Sequence, residues 1–122
     1  MTQQGIDGEQ KGYKLIRELL PSMELQQLDL LGKMDDKYIA FEIKQRELYS
    51  PPPFAGTGLD IAQLKRRLQL QEDLDIRTYM IVFVTGTDDV YGQYLDKLEE
   101  GLHFDTKNGI RIFDIANFIK LK

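Results

Sequence analysis

The sequence predicts a mixed α/β sheet flanked by helices, and three observations carry that prediction. Apolar runs at helical spacing alternate along the chain with strand-forming runs, in the order α-β-β-α-β-α-β-α. One run, Tyr79-Met80-Ile81-Val82-Phe83-Val84, is apolar at every position, as a central strand covered on both faces must be. The length of 122 residues, with 42% hydrophobic and 30% charged residues, suits one domain, 1–122, around one core.

Each element has its own signal. Residues 9–20 read as a first helix, because Tyr13, Ile16, Leu19 and Leu20 recur at helical spacing and Pro21 closes the run. Leu25 to Leu31 reads as a strand, Gly32 to Lys37 as a polar turn, and Tyr38 to Gln45 as the returning strand of an antiparallel hairpin. Ser50-Pro51-Pro52-Pro53-Phe54-Ala55-Gly56-Thr57-Gly58 is a breaker-rich loop, either a rigid surface connection or a mobile cover over a site. Leu59 to Leu74 is the second helix, with Asp60 near its start where the helix dipole favours an anion. Arg77 to Thr85 is the buried strand. Val90 to Glu100 is expected to be a third helix, capped by Asp88 and Asp89, followed by a turn at Gly101, a strand from Ile110 to Phe113 and a last helix from Ile115 to Leu121.

Composition narrows the chemistry. No apolar run approaches the ~20 residues that cross a bilayer, and Met1 to Asp7 lacks the pattern of a secretory leader, so a cytoplasmic protein is expected. Cysteine is absent and His103 is the single histidine, so any metal must be held by oxygen, which favours Mg²⁺ or Mn²⁺. A net charge of −4, from 20 acidic and 16 basic residues, does not mark the whole chain as a phosphate binder, although basic residues can cluster locally.

The fragment Phe41-Glu42-Ile43-Lys44 singles itself out. Alternation along the strand turns Ile39, Phe41 and Ile43 to one face and Ala40, Glu42 and Lys44 to the other, so a carboxylate and an ammonium stand about 7 Å apart along the backbone. By itself such a pair is an ordinary surface ion pair. Asp29 lies thirteen residues earlier, and in a hairpin of suitable register it comes beside Glu42. Two neighbouring carboxylates repel unless a cation joins them, and a divalent metal with hard oxygen ligands resolves the conflict.

Leu28-Asp29 followed by Glu42-Ile43-Lys44 resembles the split motif of the PD-(D/E)XK nuclease superfamily, whose restriction-endonuclease-like αβββαβ core the predicted element order also resembles. The usual proline before the aspartate is replaced by Leu28. The resemblance implies a metal-dependent nuclease acting on nucleic acid, expected to be DNA, with Asp29 and Glu42 binding Mg²⁺ or Mn²⁺ and Lys44 positioning the attacking water. It further implies a glutamate on the first helix, with Glu9 and Glu18 as candidates. Glu9 is preferred because it shares the side of Tyr13, Ile16 and Leu20, whereas Glu18 faces away. A polar residue on the helix after the Glu-x-Lys strand is also expected, Gln63 rather than Lys65. Lys65, Arg66 and Arg67 form the strongest basic run, suited to a phosphate backbone. Within the superfamily the chain resembles the Holliday-junction-resolving or virus-associated branches, whose compact single domains often act as dimers, so a homodimer is an expectation. A virus- or phage-encoded origin fits the second of these. The alternative is an inactive nuclease-fold protein serving as a nucleic-acid-binding or assembly module. His103, with no partner motif around it, reads as a surface or packing residue, and the six tyrosines mark no base-stacking surface by their spacing.

Overall fold

A computed structural model describes Lys14, Glu24–Gln26, Leu31–Met34 and residues 36–122. Lys14 is helical, and the rest of the first predicted helix lies outside the described residues. The elements are β1 (Glu24–Gln26), β2 (Leu31–Met34), β3 (Lys37–Arg46), β4 (Gly56–Asp60), α1 (Ile61–Leu74), β5 (Arg77–Val84), β6 (Val90–Tyr94), α2 (Leu95–Glu100), β7 (His103–Asp105), β8 (Ile110–Asp114) and β9 (Ile119–Lys120). Six strands form one sheet in the order β1-β2-β3-β5-β6-β9, and β4, β8 and β7 form a second. The large sheet is mixed: β3 and β5 run parallel, joined by the crossover through β4 and α1, and its other pairs are antiparallel.

β3 and β5 form the spine. Along β5 the sheet is covered on both sides, with Met80, Ile81 and Val82 each exposed by 1% or less, as the uniformly apolar sequence requires. One face carries Phe41, Ile43, Ile81 and Val90, with Leu121 packed against them. The other carries Met80 and Val82 under Leu64 of α1 and Leu95 and Leu98 of α2, with Phe113 of the small sheet. Each large apolar side chain so buried contributes roughly 1.5–3 kcal/mol relative to exposure. Glu42 and Lys44 lie opposite Met80 and Val82 in the β3–β5 register, so they stand on the α1 face.

Several boundaries differ from expectation, each for an identifiable reason. The run from Leu25 to Leu31 is two strands, with Gln26 paired to Leu31, and Gln26 and Gln27 interrupt its apolar pattern. The strand that follows reaches Met34, which pairs with Lys37, so the polar turn is shorter than Gly32 to Lys37. Val90 to Glu100 is not one helix. Val90-Tyr91-Gly92-Gln93-Tyr94 is β-branched, aromatic and glycine-bearing, and it pairs with β5, leaving six residues for α2. A Cβ at Gly92 would strike the ring of Tyr79, so the glycine lets that aromatic lie across the strand. Asp88 and Asp89 therefore cap no helix; they sit in the β5–β6 turn, where the Asp89 carbonyl accepts from the Val84 amide at 3.1 Å. The last predicted helix is a single 3₁₀ turn, Ile115–Asn117, followed by β9, since Phe118 is drawn into the core and β6 offers an open edge.

The small sheet buttresses the crossover. Gly58 approaches β8 so closely that a Cβ would run into the carbonyl of Arg111. Arg111 in turn bonds Glu99 of α2 and Asp105 of β7 at 2.8 Å each, tying three elements together. Gly58→Ala is expected to push β4 off β8 at a cost of about 2 kcal/mol, a fall of about 5–10 °C in Tm, read by thermal denaturation. An unchanged midpoint contradicts the close approach. The Pro-rich loop is tied at both ends, by mutual backbone bonds between Tyr49 and Gly56 at 2.8 and 3.2 Å and by Phe54 against Phe104 at 5.5 Å. Gly56 to Gly58, expected to end that loop, and Leu59, expected to open the helix, belong instead to β4, because β8 offers them a pairing partner. Among the described residues no helix is long and apolar enough to cross a membrane.

Candidate active site

The site begins with a buried acid. Glu42 is 6% exposed on a strand whose neighbours Phe41 and Ile43 are anchored in the opposite core, so its carboxylate is held without freedom to reach bulk water. A carboxylate in that position must be hydrogen-bonded and charge-compensated to remain ionised. Three side chains meet that need. Gln63 Nε2 donates to Oε2 at 3.1 Å, Arg67 Nε donates to Oε1, and Lys44 Nζ stands 3.8 Å from Oε2.

The sequence of α1 explains why two of those groups converge. Asp60 is the N-cap, its Oδ1 accepting from the amides of Ala62 at 2.9 Å and Gln63 at 3.2 Å, which fixes the first turn where Gln63 sits. Leu64, 1% exposed, locks the helix's rotation against Met80 and Val82. Gln63 and Arg67 are then four residues apart on one helical face, aimed at the same carboxylate, one at each oxygen. Asp60 thus does more than complement the dipole, because it sets the register of the turn that delivers Gln63.

Lys44, Arg46 and Gln63 also line a cleft of about 180 Å³, walled by Tyr49, Gly58 and Ile110. Lys44 and Arg46 of β3 share its lining with Asp60, two cations against one acid. Lys65 and Arg66 are exposed on the outer side of α1. Arg67, expected with them at a phosphate backbone, is instead turned toward Glu42, its side chain 39% exposed. The sequence contains a signal for this placement, the four-residue spacing from Gln63 to Arg67, hidden within the longer basic run. His103 lies on β7, its Nδ1 3.1 Å from the Gly101 carbonyl and its ring edge-on to Phe113, in keeping with a packing role.

Of the expected residues, Glu42, Lys44 and Gln63 come together, while Asp29 and Glu9 lie outside the described residues, as does Glu18. Among the described residues no three acidic or histidine side chains gather as a metal-holding group. Glu42 is a hard-oxygen donor of the right chemistry for Mg²⁺ or Mn²⁺. The Gln63 carbamoyl oxygen, which accepts no hydrogen bond among the described residues, is a second such donor. Glu42 and Gln63 thus offer two oxygens of the kind one side of such a site uses, and Arg67 engages Oε1 of Glu42.

The fold has a solved counterpart. The chain superimposes on the Holliday junction resolvase Hjc of Archaeoglobus fulgidus with a TM-score of 0.58, covering 94% of this chain and 92% of that one at 9% identity. At such identity the likeness speaks for the fold, and the site residues must be argued on their own geometry. No protein-family model and no curated protein sequence matches the chain.

Proposed function

We propose that the protein is a metal-dependent nuclease that hydrolyses phosphodiester bonds in DNA. The observation that carries this reading is a buried carboxylate, Glu42, held by Gln63 with Lys44 beside it, the lysine and Gln63 both lining a cleft. The resolvase-like architecture supports it.

In this reading Glu42 is a metal ligand and Gln63 orients it. Asp29 is the second acid. Its place beside Glu42 follows from the motif resemblance, and a divalent cation would relieve the repulsion of two such neighbouring carboxylates. Glu9, on the first helix, is a further ligand candidate. A bound Mg²⁺ or Mn²⁺ supplies Lewis-acid stabilisation of charge on the phosphoryl oxygens and makes water more acidic. Lys44, 21% exposed at the cleft mouth, donates to the attacking water or to the phosphoryl oxygen on which charge develops. Water attacks phosphorus, the P–O bond to the leaving oxygen breaks, and that oxygen takes up a proton. Arg46 at the cleft and the exposed Arg66 would meet neighbouring phosphates, with Lys65 adding positive charge farther around α1.

Gln63→Leu is expected to leave the helix cap and the Leu64 contact intact while lowering Mn²⁺ affinity about 10-fold, as loss of a ligand-orienting partner does. Isothermal titration with Mn²⁺ reads this, and an unchanged affinity removes Gln63 from the site.

A second reading has one observation in its favour. Arg67 neutralises Glu42 as a structural ion pair does, which suits a non-catalytic nucleic-acid-binding or assembly module. The test that separates the two is incubation of the protein with labelled four-way DNA junction, linear duplex and single strand, in Mn²⁺, Mg²⁺ or EDTA. Cleavage that requires the cation supports the nuclease. Binding without cleavage under every condition favours the module.

A further inference from the structure

We infer that Arg67 is the counter-ion of Glu42 in the metal-free protein, and that a divalent cation must displace it, releasing its guanidinium to the phosphate-binding surface of α1. The inference rests on the proposed metal-dependent reading of the Glu42 site.

The geometry carries it in three steps. First, the donors divide the carboxylate between them: Gln63 and Lys44 address Oε2, and Arg67 addresses Oε1. A cation bound to Oε1 at the usual ~2.1 Å stands against a guanidinium that is bonded to the same atom, and two positive charges at that separation repel strongly. Both cannot hold Oε1. Second, the two charged partners of Glu42 are not equally committed. Lys44 is on the same strand, two residues along, so β3 keeps it near the site whichever ion is present. Arg67 reaches in from a helix surface, with 39% of its side chain exposed, and its long stem can swing outward without moving α1. Third, the direction of release is fixed by its neighbours. Arg66 stands exposed one residue before it, about 100° around the helix, while Lys65 faces the far side, so an outward rotamer of Arg67 stands beside one further exposed cation, where a planar fork suits a phosphate.

Arg67 thus keeps a buried carboxylate charge-compensated before metal arrives, and cation loading adds a phosphate contact that the metal-free protein lacks. Metal and nucleic-acid backbone should then bind with positive coupling, each strengthening the other by the same factor.

The test is Mn²⁺ binding by calorimetry, without substrate, to the wild-type protein, Arg67→Gln, Arg67→Lys and Glu42→Gln. Arg67→Gln should bind Mn²⁺ at least about 10-fold more tightly than wild type, since a neutral amide no longer competes for Oε1. Arg67→Lys, which keeps the charge but loses the fork, should fall between them and preserves the comparison should the glutamine variant fold poorly. Titrating a non-cleavable duplex should show Mn²⁺ raising wild-type affinity more than that of Arg67→Gln. Equal Mn²⁺ affinity in wild type and both Arg67 variants, with Glu42→Gln still abolishing it, overturns the exchange and leaves the nuclease reading standing. Mn²⁺ binding that is absent, or indifferent to Glu42→Gln, overturns both.

Discussion

Glu42→Gln should abolish cation-dependent cleavage while leaving a folded protein. Glutamine is isosteric, so the space between β3 and α1 stays filled, and its carbonyl oxygen can still accept a bond from a neighbouring donor. What is lost is the negative charge. Arg67 and Lys44 are 39% and 21% exposed and can turn to water once it is gone, so stability should change by no more than about 1–2 kcal/mol. Activity should respond on a different scale. A carboxylate-held cation stabilises the transition state by several kcal/mol, and its loss corresponds to about 10³-fold or more in rate. Circular dichroism and a thermal melt check the fold, and single-turnover cleavage of a labelled junction checks the chemistry. A folded variant that retains wild-type rate removes Glu42 from the reaction.

Lys44→Met should separate binding from chemistry. The methionine keeps most of the apolar stem beside Val82 while removing the ammonium, so Mn²⁺ affinity should persist or rise as a like charge leaves the neighbourhood of Glu42. The cleavage rate should fall about 10²–10³-fold, the usual cost of deleting one donor aimed at developing charge. The diagnostic pattern is lower kcat with metal affinity and KM little changed. A variant that loses rate and Mn²⁺ binding together would show that Lys44 organises Glu42 rather than acting on substrate.

The parallel core is legible in the sequence because burial on both faces leaves a plain mark. The uninterrupted apolar run of β5 and the alternation around Glu42 in β3 locate the two central strands and the face on which the acid stands. Gln63 is legible too, since a polar residue in the first turn of an otherwise apolar helix start has to face something polar. The peripheral strands are harder. Val90 to Tyr94 and Ile119 to Lys120 are too short for their own pattern to decide, and both are fixed by pairing with an edge that belongs to distant sequence. The role of Arg67 is obscured by its neighbours. Three consecutive basic residues read as one patch, although 100° steps around a helix send them in different directions, and only α1's orientation over Glu42 shows which one turns inward. Asp29 and Glu9 rest on the motif resemblance, and both lie outside the described residues.

The most direct test of a cation-binding Glu42 is a crystal grown with Mn²⁺ and measured at the manganese edge. An anomalous peak about 2.0–2.2 Å from a Glu42 carboxylate oxygen, with the Asp29 carboxylate on its other side and Arg67 turned away, is the predicted result. Glu42 still bonded to Arg67 at saturating Mn²⁺, with no peak beside it, would contradict it.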